Sequence, residues 1–240
     1  MSLNNMYFPS SISRDTVNEL ERKDLSGYVR SSLSHDGDFR LEGAMSKVIN
    51  PDELAVRLAG FIDGDDGAAD YVNADGEKAS RDNNGLRLSV AWNPAKNFSA
   101  LLVNQISNRE ANGVVVYHAG NGQDGFHGPY DDPRSFVELD DFSRKHENHN
   151  LILNLDLSEH RLVSLTSYGT SLMNWDIDVD EQGVFPTLRD AYLVQETERF
   201  AQEVRLESTQ DRGWEYMVGV YHLDSKKRGD TDFRVFNLLL

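Results

Sequence analysis

Along residues 151–158 the chain alternates with a period of two: Leu151, Leu153, Leu155 and Leu157 are interleaved with Ile152, Asn154, Asp156 and Ser158. The pattern recurs. Leu86, Leu88, Val90 and Trp92 alternate with Arg87, Ser89 and Ala91; Leu54, Val56, Leu58 and Ile62 with Ala55, Arg57 and Ala59; Val204 and Leu206 with Glu203, Arg205 and Glu207. Successive side chains of a strand point to opposite faces, so each segment has one apolar face and one polar, often charged, face. The whole chain read this way predicts about nine strands, at 25–35, 38–49, 54–63, 84–93, 98–109, 148–158, 161–175, 197–208 and 213–224.

The connections alternate in length. Short turns are expected at Asn50-Pro51-Asp52-Glu53, Asn93-Pro94-Ala95-Lys96-Asn97, Ser158-Glu159-His160-Arg161 and Thr209-Gln210-Asp211-Arg212. Between them lie longer stretches near 64–83, 110–147 and 176–196, rich in Asp, Asn and Gly; the short His35-Asp36-Gly37-Asp38 is the exception. Short turns on one rim and long loops on the other make an antiparallel up-and-down meander of the kind found in membrane barrels.

Periodicity alone leaves two environments open. In a soluble sandwich the apolar face meets a core; in an inverted barrel it meets lipid and the polar face lines a lumen. Strand length favours the second, because ten or so residues per segment exceeds the usual five to six and suits a tilted crossing of a bilayer. Trp92, Phe98, Trp214 and Tyr216 flank two of the short turns, where an interfacial aromatic girdle would lie. Leu155 is read as a mid-bilayer position facing lipid and Asn154 as facing the lumen.

Composition then narrows the classes. A mean hydropathy of −0.55 looks soluble, but a barrel needs apolar residues only at alternate positions. No apolar run reaches the roughly 18 residues of a transmembrane helix, and no basic-then-apolar leader is visible within residues 1–30. Cysteine is absent, which excludes disulfides, thiolate metal sites and a cysteine nucleophile. A net charge of −16 argues against a nucleic-acid partner.

The order of segments resembles the first part of a TonB-dependent outer-membrane receptor barrel. The resemblance is carried by Leu25-Ser26-Gly27-Tyr28-Val29, Leu41-Glu42-Gly43-Ala44, Leu54-Ala55-Val56-Arg57-Leu58-Ala59-Gly60, Gly85-Leu86-Arg87-Leu88 and Trp92-Asn93-Pro94. Its most specific pair is Phe200-Ala201-Gln202-Glu203-Val204-Arg205-Leu206-Glu207-Ser208 followed by Trp214-Glu215-Tyr216-Met217-Val218-Gly219-Val220-Tyr221. The family implies a barrel of about 22 strands around a plug, in the outer membrane of a Gram-negative cell. It also implies energy delivered by a TonB complex acting on the plug, and uptake of a scarce nutrient such as a ferric siderophore. Nothing in 1–24 resembles a plug, so that polar segment is unassigned and 25–240 is expected to be a partial barrel, part of a larger one, with the plug absent. Expected partners are outer-membrane lipid, the TonB complex and a small cargo such as a metal chelate; no cofactor is expected.

Within the 110–147 stretch, Tyr117, His118, His127 and Tyr130 are candidate cargo contacts on this resemblance. The acidic runs Asp63-Gly64-Asp65-Asp66-Gly67 and Asp176-Ile177-Asp178-Val179-Asp180-Glu181 lack EF-hand spacing and read as solvated loops. Glu203 and Glu207 on one strand face could do acid–base work, but with Arg205 between them they read as a charge-balanced ladder across strands. No hydrolase elbow, phosphate loop or zinc-protease motif occurs, so a non-enzymatic protein is expected. The rival readings are a porin- or adhesin-like barrel without a plug and a soluble extracellular carbohydrate-binding β-protein.

Overall fold

Alternating residues of opposite character suit a pleated ladder, and that is how the backbone pairs. The computed structural model describes residues 25–35, 37–65, 70–71, 79–112, 134–135, 141–178, 188–209 and 214–235. The strands are β1 (Ser26–Leu33), β2 (Phe39–Asn50), β3 (Leu54–Asp65), β4 (Asp70–Tyr71), β5 (Ser80–Ala95), β6 (Phe98–Asn112), β7 (Arg134–Ser135), β8 (Asp141–Leu157), β9 (His160–Asp178), β10 (Leu188–Ser208) and β11 (Met217–Val235). Nine of them form one sheet in the order β1-β2-β3-β5-β6-β8-β9-β10-β11. Every neighbouring pair is antiparallel. The two-residue segments β4 and β7 pair with each other in parallel. The expected up-and-down meander of long strands is therefore the observed fold.

Three of the expected short turns are described, at 51–53, 96–97 and 158–159, where the sequence placed them; most of the fourth, at 209–212, lies outside the described residues. Asp52 (φ 61°) and Ser158 (φ 53°) take the left-handed conformation that lets the chain reverse in a few residues. Pro94 cannot donate to a ladder, and the β5–β6 register slips between Trp92 and Ala95. One boundary differs: the last strand begins at Met217, not near Trp214. Ser208 and Tyr216 exchange hydrogen bonds at the mouth of that turn, the backbone N–H of Ser208 donating to the Tyr216 carbonyl and the Tyr216 N–H to Ser208 Oγ, both at 2.9 Å.

Strands also run well into the stretches expected to be long loops. β5 starts at Ser80, β8 at Asp141 and β10 at Leu188, and β11 continues to Val235. Asp63 and Asp65, expected in a solvated loop, instead lie in β3: Asp63 pairs with Arg40 at 3.4 Å and Asp65 with Arg81 at 2.5 Å. Asp176 likewise belongs to β9. In β5, β8 and β11 the extensions carry polar residues on both faces, and in β10 Ala191-Tyr192-Leu193-Val194 is apolar on both, so the hydrophobic alternation fades while the backbone ladder continues.

Burial in the sheet is inverted. Among the most buried side chains are Ser89 (2% exposed), Glu42 (3%) and Gln105 (3%), with Arg57, Arg87, Asn148 and Asn150 also buried. Met45 (53%) and Leu88 (37%), with Leu41, Leu58, Ile62 and Leu86, are exposed. The registers place each set on its own face: Met45 lies opposite Leu58, and Leu58 opposite Leu88, whereas Ser46 lies opposite Arg57 and Arg57 opposite Ser89. A single sheet buries one face only by curving toward it, so the polar face is the concave, inner one. Arg57 Nη1 donates to Ser46 Oγ at 2.7 Å across that face, and Phe61 lies on it against Ala44 and Ala59.

The outer apolar positions form a belt next to the short turns. On β3 it runs from Leu54 to Ile62, eight steps of about 3.3 Å, or about 20 Å in height at a tilt of about 40°. The belt crosses the ladder obliquely. The row through Met45, Leu58 and Leu88 continues as Asn104, His149, Tyr168, Phe200 and Asp224. Tilted strands require this, since a level band meets each strand at a different register. On β8 the belt is Leu155, Leu153 and Leu151; Leu153 lies nearer its middle than Leu155, which sits two residues from the strand end at Leu157.

Candidate functional site

The candidate cargo contacts Tyr117, His118, His127 and Tyr130 lie outside the described residues, as does the 1–24 segment. The described residues bring together a different set, on the inner face of β8–β11 above the belt. Three ladder rows define it. Arg109, Arg144, Met173 and Gln195 form one; Ser107, His146, Ser171, Thr197 and Lys227 the next; Gln105, Asn148, Gly169, Arg199 and Ser225 the third. Neighbouring strands are about 4.8 Å apart, so long cationic side chains stand around a floor of small ones.

That floor, made by Ser167, Gly169, Ser171 and Thr197, is the base of an open depression of about 610 Å³. Arg144, His146 and Arg199 stand along it, and Tyr221 and Leu223 supply an apolar side. The size is that of a small-molecule site. Arg144 is oriented by its neighbour: its Nε donates to Ser171 Oγ at 3.2 Å. At its back, Arg109 stacks over the Phe142 ring at 5.7 Å, and Phe142 meets Trp175 edge-to-face at 6.3 Å. Burial, with Arg144 and Arg199 close by, lowers the His146 imidazole pKa from its ordinary value. The standing positive charge of the depression therefore rests on the arginines, with His146 a neutral hydrogen-bonding group.

Sequence reading missed Arg144 and His146 because they lie in the stretch taken for a loop. A signal existed: Phe142, Arg144, His146, Asn148 and Asn150 keep the period of two that continues into Asn154.

Elsewhere the inner face balances its charges. Glu42 sits between Arg30 (3.1 Å) and Arg40 (2.9 Å), and Asn83 donates to Asp63 at 2.9 Å. Near the short turns Arg205 binds both Glu203 (2.8 Å) and Glu207 (2.5 Å). The expected ladder thus closes along one strand rather than across strands, because residues two apart share a face. With its cation spanning both carboxylates, this pair offers no acid–base couple. Among the described residues no three His, Asp or Glu side chains converge as metal ligands.

The outer face is different again. Beside the belt its polar groups satisfy one another: His149 Nδ1 and Asn104 Oδ1 are 2.8 Å apart, Thr166 Oγ1 donates to Gln202 Oε1 at 2.7 Å, and Gln202 Nε2 to Ser164 Oγ at 3.1 Å. Above it Glu198 faces Lys226 and Glu196 faces Arg228 in direct register. At the short-turn rim Trp92 meets Phe98 edge-to-face at 6.2 Å, and Tyr216 lies against His160 with ring centroids 5.9 Å apart.

Two solved structures are similar to this chain in fold. The ferric yersiniabactin uptake receptor FyuA from Yersinia pestis matches with a TM-score of 0.73 over 89% of this chain, at 12% identity. The siderophore receptor PiuA from Acinetobacter baumannii matches with a TM-score of 0.60 over 86% of this chain, at 16% identity. The long-stranded antiparallel meander is thus a fold that this chain has in common with part of each of these structures. The chain spans about a third of the length of these structures, covering 33% of the first and 30% of the second. No protein-family model and no curated protein matches the sequence.

Proposed function

We propose that this chain forms part of the barrel of a TonB-dependent receptor, in the outer membrane of a Gram-negative cell, that takes up a scarce nutrient such as a ferric siderophore. The observation that carries the reading is the inverted burial: charged and amide side chains line the concave face while a belt of Leu, Met, Ile and Val is exposed on the other. Buried polar groups are costly without partners, and an exposed apolar belt this continuous is costly in water. Both become favourable in a barrel whose outside meets hydrocarbon and whose inside is wet.

On this reading the aromatic pairs at the short turns sit at the inner interface of the membrane, and the polar strand extensions project outward, carrying the depression of β8–β11 to the cargo side. Residues 25–240 belong to the barrel, and 1–24 lie outside it. Tyr117, His118, His127 and Tyr130, between β6 and β8 in sequence, are proposed cargo contacts at the same rim. The partners are then outer-membrane lipid, a metal chelate as cargo, and the TonB complex acting through a plug. The test is deletion of the gene in its own cell, with fractionation and with uptake of iron-55-labelled siderophores under iron limitation. Outer-membrane recovery and loss of uptake on deletion are expected. Recovery as a soluble protein, or unchanged uptake of every chelate in the panel, would refute the reading.

A further inference from the structure

We infer that the outer face of β8–β11 holds a zwitterionic lipid headgroup, one that carries a phosphate and a primary ammonium together. The inference rests on the receptor reading above, which sets this face against lipid, and adds a site on the side of the wall that cargo does not reach.

The site is a second depression, of about 390 Å³. Thr170 and Leu172 of β9 form its floor, Lys145 and Glu147 of β8 one wall, and Glu196, Glu198, Lys226 and Arg228 of β10 and β11 the other. Two ladder rows build it, Lys145, Leu172, Glu196 and Arg228 above and Glu147, Thr170, Glu198 and Lys226 below. Its height is that of headgroups. Glu147, Thr170 and Glu198 each stand ten steps from the short-turn end of their strand, at Leu157, His160 and Ser208. Ten steps of about 3.3 Å at a tilt of about 40° rise about 25 Å, the height of the apolar band of such a barrel. The upper row lies two steps further, about 5 Å into the interface.

Charge then selects the ligand. Lys145, Lys226 and Arg228 are matched by Glu147, Glu196 and Glu198, so the depression is neutral as a whole and gives an anionic lipid no net attraction. Part of this charge is already engaged: Lys145 pairs with Glu147 at 2.8 Å and Lys226 with Asp224 at 3.7 Å, while Tyr168 Oη donates to Glu198 at 3.1 Å. Glu196 and Arg228 stand opposite each other in register, yet among the described residues neither is in an ion pair. A ligand of both signs completes the two at once. Its phosphate lies along the planar donors of Arg228, backed by Lys226, and its ammonium donates to Glu196, backed by Glu198. At the edge of the hydrocarbon such charge-assisted hydrogen bonds are stronger than in bulk water. Tyr168, one row below, meets the first methylenes of the acyl chains.

The test uses the complete receptor, purified from outer membranes into detergent and stripped of lipid. Three lipids with the same acyl chains are added, phosphatidylethanolamine, phosphatidylglycerol and phosphatidylcholine, and native mass spectrometry reads how tightly each is retained. Glu196→Gln and Arg228→Gln are compared with Lys47→Gln, an outer-face cation of β2 near the short-turn rim. Heat-stable migration establishes that each barrel has formed. We expect wild type and Lys47→Gln to retain phosphatidylethanolamine in preference to the other two. Arg228→Gln should bind it about tenfold more weakly. Glu196→Gln should lose as much and, with a net positive site, turn its preference to phosphatidylglycerol. Equal retention of the three lipids by wild type would overturn the inference. So would a wild-type preference for phosphatidylglycerol, which would mean that the cations act alone, or unchanged phosphatidylethanolamine binding by both variants. Each of these results leaves the receptor reading standing. A protein that fractionates away from the outer membrane would overturn both.

Discussion

Leu153→Arg against Asn154→Arg is the sharpest test of which face meets lipid, because the two residues are adjacent and differ only in the side they face. Leu153 stands opposite Ala100 and Ser164, so an arginine there meets small neighbours and suffers little steric penalty. From Leu153 to the turn residue Ser158 is five steps of about 3.3 Å, or about 13 Å in height at a tilt of about 40°. That is half of an apolar band about 25 Å tall, where arginine on a lipid face costs about 2–4 kcal/mol. Asn154 faces inward and donates to Ser99 Oγ at 3.1 Å; its replacement by arginine forfeits about 1 kcal/mol and keeps a polar group in a polar lumen. The two variants should therefore differ by about 1–3 kcal/mol, roughly 5- to 150-fold in the folding equilibrium. Urea titration of the complete barrel in phosphatidylcholine vesicles, followed by tryptophan fluorescence, measures both. Equal costs, or a larger cost at Asn154, would mean that the apolar face does not meet lipid.

Three further outcomes follow from side-chain geometry. A Cβ at Gly85 would lie 2.6 Å from Cε1 of Phe61 and 3.2 Å from the Ile106 carbonyl oxygen, so Gly85→Ala should cost about 1–3 kcal/mol, and a double-mutant cycle with Phe61→Ala should show strong coupling. Glu42→Gln removes the carboxylate between Arg30 and Arg40 at a site only 3% exposed; the two arginines left behind reach solvent, so about 1.5–3 kcal/mol is expected for the lost charge-assisted hydrogen bonds, against under about 1 kcal/mol for Asp156→Asn at the exposed Arg161 pair, both by urea titration. Thr197 and Arg199 have ladder partners on both sides, Ser171 with Lys227 and Gly169 with Ser225, so hydrogen exchange there should be as slow as at Val204 and Leu206; fast exchange would show that the ladder ends with the apolar belt.

The boundary between what the sequence discloses and what it hides coincides with the top of that belt. Where Leu58 and Leu88 alternate with Arg57 and Arg87, lipid-facing and lumen-facing positions differ in polarity, and strand, turn and face can all be read. Where Glu196 and Glu198 alternate with Gln195, Thr197 and Arg199, both faces are polar and hydrophobic periodicity carries no information. There the ladder persists through pairing with strands already in register, a tertiary cause that no local pattern encodes. The depression lies in that silent zone, so Arg144 and His146 were hidden by the environment that makes them useful. Charge sign offers the signal that hydropathy lacks. Sorting alternate residues within each stretch separates Arg144 and His146 from Lys145 and Glu147 in 142–148, and Arg199 from Glu196 and Glu198 in 195–201. Such a separation has no value to a strand solvated equally on both sides. It requires two faces with different tasks, and the cationic one is the concave one.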